Sequence, residues 1–109
     1  MGTQDVFVNM AGGIYVEDPA IDLALCISII SSMEEIAVSD KICFAAEVGL
    51  GGELRAVNRI DQRISEAEKL GFEEIYISKY SQKSLDLSKT KIKVKSFGKL
   101  REVFEDLFG

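Results

Sequence analysis

A run of apolar residues that no single helix face can hold sets the first constraint. After Asp18-Pro19, residues Ile21, Leu23, Leu25, Ile27, Ile29 and Ile30 fall on nearly every side of a helix reaching about Met33. An aspartate ahead of the first turn accepts from free N–H groups, and proline at the first helical position sacrifices no donor. A helix apolar nearly all round must be buried by other elements. The run is still too short for a membrane: Leu23 to Ile30, interrupted by Ser28, falls far below the ~20 residues a span needs.

The rest of the chain supplies the covering layers. Val6, Val8 and Met10 alternate as a first strand, Gly12-Gly13 turns, and Ile14 to Val16 returns, giving a hairpin over 5–16. Ile42 to Val48 reads as a core strand, Gly49 to Gly52 as a turn, and Glu53 to Val57 as its partner, a second hairpin over 42–57. Ile60, Ile64 and Ala67 mark one face of a helix over 60–70 that Gly71 stops. Strands follow at 74–78 and 91–95 around a polar loop from Ser81 to Thr90. Leu100, Val103, Phe104, Leu107 and Phe108 define a last amphipathic helix over 98–108. Interleaved strands and helices predict one mixed α/β (α+β) domain over 5–109. Residues 1–4 carry no structural signal and read as linker or residues added for expression.

Composition removes several chemistries. The chain contains no histidine, which excludes Ser-His and Cys-His catalysis from its own residues. Two cysteines, Cys26 and Cys43, lie in apolar runs and read as reduced core thiols; alone they cannot close a tetrahedral zinc site. No metal and no cofactor is therefore expected in this chain. No charged segment precedes an apolar one as in a signal peptide, so the expected location is the cytoplasm, with no membrane partner.

Three stretches carry a family resemblance. Asp5-Val-Phe-Val-Asn-Met-Ala-Gly-Gly-Ile-Tyr-Val16 with Pro19-Ala-Ile-Asp-Leu-Ala24 resembles a hairpin leading into a "PAxDLA" helix. Glu47-Val-Gly-Leu-Gly-Gly-Glu-Leu-Arg55 resembles "GEVGLxGEVR", and Gln62 through Phe72 resembles "QRxxEAxKLGF". In this order they are similar to the C-terminal Lon-protease-like domain of RadA/Sms-type bacterial DNA repair proteins. Ala56, Asn58 and Ser78 stand where that family usually has prolines, and Ala46 where glycine is common. The resemblance implies a Lon proteolytic-domain fold of the ribosomal protein S5 domain 2 type. It implies a piece of a longer ATPase in which ATP, magnesium and zinc sit upstream, since no Gly-x-x-x-x-Gly-Lys phosphate loop or four-cysteine motif occurs here. It also implies a homo-oligomer, a hexameric ring, acting on single-stranded or branched DNA.

Active members of the Lon pattern use a serine after a proline and a lysine at the start of the next helix. The resemblance puts Ala20 and Asp61 at those places, with Asn58-Arg59 replacing two glycines. Alanine offers no nucleophile and aspartate no neutral amine, so the chain is expected to be no enzyme. Asp22 suits the positive end of its helix, and Glu47 is expected to satisfy backbone donors or to pair with an arginine.

Formal net charge is −5, yet Lys79, Lys83, Lys89, Lys91, Lys93, Lys95, Lys99 and Arg101 face one acid, Asp86, in the same stretch. Lys91, Lys93 and Lys95 would share one strand face, either guarding an edge against pairing or tracking phosphates. Arg55, Arg59 and Arg63 form an alternative basic cluster. Three readings follow: a non-catalytic domain for ring assembly and DNA engagement in branch migration, an interaction module without DNA contact, and a peptidase with a relocated dyad.

Overall fold

The computed structural model describes residues 18–81, 85, 87, 88 and 90–109. The hairpin expected over 5–16, and Lys83 and Lys89, lie outside the described residues. A short 3-10 turn, Pro19–Ile21, leads directly into α1 (Asp22–Glu34). There follow β1 (Ile42–Ala45), β2 (Glu47–Val48), β3 (Leu54–Arg55), α2 (Ile60–Lys69), β4 (Glu74–Ser78), β5 (Lys93–Phe97) and α3 (Leu100–Phe108).

β1, β4 and β5 form a parallel sheet in the order β1-β4-β5, with Ile42 opposite Glu74 and Glu74 opposite Lys93. Strand residues alternate between two faces. Ala45, Ile75 and Ile77 pack under Ile60, Ile64 and Ala67 of α2, joined by Ile92. Tyr76 of the sheet packs with Leu23 and Ile27 of α1, Val103 of α3, Ala46 and Leu54, and Ile42 and Phe44 close round them. The sheet is thus apolar on both faces, as parallel sheets covered by helices are.

The start of α1 follows its sequence signals: Asp18 Oδ1 accepts from the Ala20 N–H at 3.0 Å, and Pro19 takes the first position of the turn. Ala20, Leu23, Ala24 and Ile27 are buried. The helix is nevertheless covered on fewer sides than expected, because Ile29 is 50% and Met33 72% exposed. Glu35 ends it in a left-handed conformation, φ 55°, and the Ile36 N–H returns to the Ser31 carbonyl at 3.1 Å. That is the usual helix stop, made here without glycine.

Two expectations need correction. Residues 42–57 are not one hairpin. The strand breaks at Ala46, whose N–H donates to the Ala20 carbonyl at 3.2 Å and whose carbonyl accepts from the Leu23 N–H at 3.1 Å. The head of α1 takes the backbone groups a continuing strand would use. β1 therefore stays in the parallel sheet, and only Glu47–Val48 pairs antiparallel with Leu54–Arg55. Second, the strand expected over 91–95 occupies 93–97. Glu68 of α2 accepts from the backbone N–H groups of Lys91 and Ile92, the latter at 2.9 Å, and holds them out of the ladder.

The small hairpin is anchored to both neighbours. The Leu54 N–H donates to the Gly98 carbonyl at 2.9 Å and the Leu100 N–H to the Gly52 carbonyl at 2.8 Å. Ser78, fully buried, donates to the Leu54 carbonyl at 3.1 Å. Asp22, an acid in the first turn of α1, accepts from the Val48 N–H at 3.2 Å, so its carboxylate bridges helix and hairpin.

Candidate functional site

Ala20 and Asp61 stand on segments tied together by one ion pair. Arg63, one turn into α2, donates to both Asp18 oxygens at 3.0 and 3.2 Å. It also donates to the carbonyl and side-chain oxygens of Asn58 at 2.9 and 3.0 Å. Arg63 holds the Asp18 carboxyl below its ordinary value, a shift the Ala20 N–H reinforces. Ala20 is 3% exposed and presents only backbone polar groups; Asp61 is exposed, with its carboxylate on the N–H of Gln62 at 2.9 Å. Arg59 sits between hairpin and helix with φ 53°, a left-handed backbone that favours glycine. Neither Ala20 nor Asp61 supplies a hydroxyl or an amine for covalent chemistry.

The three arginines do not act as one cluster. Arg55 is drawn to Glu53 at 2.9 Å and, across the hairpin, to Glu47 at 3.9 Å. Of the two roles expected of Glu47, backbone acceptor or partner of an arginine, the structure has the second. Arg63 is occupied by Asp18 and Asn58. Among the described residues no acid pairs with Arg59.

The lysines divide likewise. Lys91 precedes β5, so Lys91, Lys93 and Lys95 do not share a strand face as a triplet. Lys95 is turned to internal work: its ammonium reaches Glu74 at 3.2 Å and Asp106 at 3.1 Å. The Tyr76 hydroxyl donates to the same Asp106 carboxylate, tying β4, β5 and α3 together. Lys91 and Lys93 are exposed at the start of β5. Lys79, Lys99 and Arg101 are exposed at its other end, roughly 15 Å away along a five-residue strand. Lys79 lies over the ring of Tyr80 at 5.3 Å, and Tyr80 is 53% exposed. Phe97, the other aromatic of the basic stretch, stacks on Tyr76 in the core.

The Asp106 network has a consequence in acid. Its carboxyl is held below the ordinary 3.8 chiefly by the Tyr76 hydroxyl, with burial opposing and Lys95 assisting. A carboxyl with a depressed folded value adds stability that is complete above its unfolded value and disappears as pH falls through the folded one. Stability should therefore be flat near neutrality and fall below pH 3.8. In thermal melts taken across that range, Asp106→Asn should show a shallower acid decline than the parent chain. An unchanged decline would mean that the network contributes nothing.

Sequence reasoning did not find a cavity of about 250 Å³ at the head of α2, lined by Val57, Arg59, Ile60, Asp61, Tyr80 and Ser81 among others. Its parts come from segments twenty residues apart that only the parallel crossover brings together. The two thiols are unpaired, and burial pushes Cys43 up to about 12, which suits packing rather than reactivity. Among the described residues no three potential metal ligands converge, and no helix is long and apolar enough to cross a membrane.

Comparison with known proteins places kin around this geometry. A family model described as subunit ChlI of Mg-chelatase matches residues 1–81. A protein of Streptococcus pneumoniae named DNA repair protein RadA is 44% identical over 105 residues, 96% of this chain and 25% of that protein. Its namesake in Bacillus subtilis is 50% identical over 74 residues, 68% of this chain and 16% of that protein. One in Listeria monocytogenes is 44% identical over 79 residues, 72% of this chain and 17% of that protein. The chain spans a quarter or less of these relatives.

Proposed function

We propose, given that the chain belongs to the family described as subunit ChlI of Mg-chelatase, that it is a non-catalytic, Lon-protease-like domain of a RadA-type DNA repair ATPase. In this reading it serves ring assembly of the parent and engages DNA in branch migration. The observation that carries the reading is 44% identity over 96% of the chain to a protein named for DNA repair. The parent would work in the cytoplasm and hold ATP, magnesium and zinc in its upstream domains.

Three features support an inert Lon-like corner. Ala20 and Asp61, the positions assigned to the dyad, lie on segments joined by the Arg63–Asp18 pair. Arg59 adopts the left-handed backbone that suits one of the pattern's two glycines. The candidate replacements for a nucleophile, Ser28, Ser31 and Ser32, sit late in α1; Ser28 and Ser31 are buried, and Ser31 donates to the Ile36 carbonyl. A fluorophosphonate probe should therefore leave the chain unlabelled; stoichiometric labelling would restore the peptidase reading.

Assembly requires a head-to-tail contact, since a ring closes through a heterologous interface. Sedimentation of the full-length protein, with and without these residues, tests the role. Loss of the ring on deletion is the expected result, and equal assembly would remove it. The second reading, an interaction module without DNA contact, is favoured by the net charge of −5. DNA contact in turn is favoured by the exposed group Lys79, Lys99 and Arg101 beside Tyr80.

A further inference from the structure

The geometry points to a phosphate site in the cavity at the head of α2, selective for a phosphate that carries a proton. The site is independent of the DNA reading and rests on three observations.

First, α2 is a ten-residue helix with no side-chain cap at its start, and helix starts of this kind attract anions. Second, Ser81, a residue 5% exposed, lines the same cavity, and its buried hydroxyl has no hydrogen-bond partner. A buried hydroxyl left unsatisfied costs free energy that a bound ligand atom would recover. Third, Arg59 lines the cavity with no acid paired to it among the described residues, while Arg55 and Arg63 are both engaged. One cation, an uncapped helix start and a hydroxyl make a donor-rich set around a space of about 250 Å³. That space is ample for a phosphate group together with part of what the phosphate is attached to.

Asp61 decides which anion fits. It lines the cavity, and its negative charge would repel an oxyanion bearing no proton. Hydrogen phosphate, or a phosphate monoester in its singly charged form, has a P–OH that donates to a carboxylate. Sulfate and a phosphodiester have none. The site therefore takes inorganic phosphate or a terminal phosphate, and it does not take the interior backbone of DNA. Tyr80, at the mouth and half exposed, offers a ring face to whatever the phosphate is attached to.

Amide-resolved NMR of the chain during titration with sodium phosphate, and with sodium sulfate at equal ionic strength, tests the site. Saturable shifts at Ile60, Asp61 and Ser81 are expected with phosphate at millimolar concentration, and weaker ones with sulfate. Arg59→Gln and Ser81→Ala should each weaken phosphate by about tenfold, the worth of one hydrogen bond to a charged group. Asp61→Asn should abolish the preference over sulfate. Adenosine monophosphate, and oligonucleotides with a 5′-phosphate or a 5′-hydroxyl, separate a free ligand from a strand end. A 5′-phosphate preference that vanishes in Arg59→Gln identifies the strand end as the source, and a response to small phosphates alone identifies the free ion or nucleotide. The absence of saturable shifts, equal response to sulfate, or phosphate binding unchanged by Arg59→Gln would each overturn the proposal. Should either variant unfold, the phosphate-to-sulfate comparison on the parent chain decides alone.

Discussion

Leu23→Ala is expected to cost about 3–5 kcal/mol, the upper range for a leucine deleted from a core that cannot collapse. Leu23 is fully buried in the cluster formed by Ile27, Ala46, Leu54, Tyr76 and Val103, where α1, the hairpin, the sheet and α3 meet. Its own N–H is bonded to the Ala46 carbonyl at 3.1 Å, so the backbone cannot slide inward to fill the void. Against a typical total of ~5–15 kcal/mol for a domain, such a loss leaves little margin. Urea denaturation should show a large drop in midpoint with a similar slope. A control at exposed Leu50, at the tip of the hairpin turn, should change stability by less than about 0.5 kcal/mol. Equal effects at the two leucines would mean that the hairpin junction is not the core it forms in this structure.

Elements with strong local signals were legible in the sequence. Asp18-Pro19 marked the start of the first helix because cap and proline act within two residues. Glu74–Ser78 has the bounds that its alternating pattern predicts, since Ile75 and Ile77 share the face packed under α2. Ile60, Ile64 and Ala67 predict the buried face of α2 because their spacing stacks them on one side of a helix. The misreadings arose where a distant group decides. Nothing near Ala46 reveals that the turn at Ala20 will claim its carbonyl and N–H and split the strand. Nothing near Lys91 reveals that Glu68, more than twenty residues earlier, will take two amides from the ladder. The alternating lysines predicted a charged face, but Lys95 is paired by Glu74 and by Asp106 on α3. Patterns report burial well and ion-pair partners poorly, because a lysine on a strand reads the same whether its acid lies across the sheet or nowhere. Ser81 illustrates a further limit: as the first residue of a polar stretch it signals a loop, and only its burial beside α2 exposes an unpaired hydroxyl.

In the proposed reading this domain presents basic side chains to DNA, and exposed Lys79, Lys99 and Arg101 are where that reading is most open to test. All three lie clear of the core, and an acid at position 101, in the first turn of α3, suits the helix dipole. Charge reversal there should therefore leave the fold intact, whereas Lys95→Glu would break the tie to Asp106. Each phosphate contact releases condensed counterions, so affinity falls with salt by a slope set by the number of contacts. The decisive measurement is the affinity of the full-length protein for a single-stranded oligonucleotide as a function of salt, with and without Lys79→Glu, Lys99→Glu and Arg101→Glu combined. The expected result is weaker binding at every salt concentration and a slope shallower by about three units, one for each lost contact. Unchanged affinity and slope, with an unchanged melting temperature, would contradict the claim and leave the domain an assembly module alone.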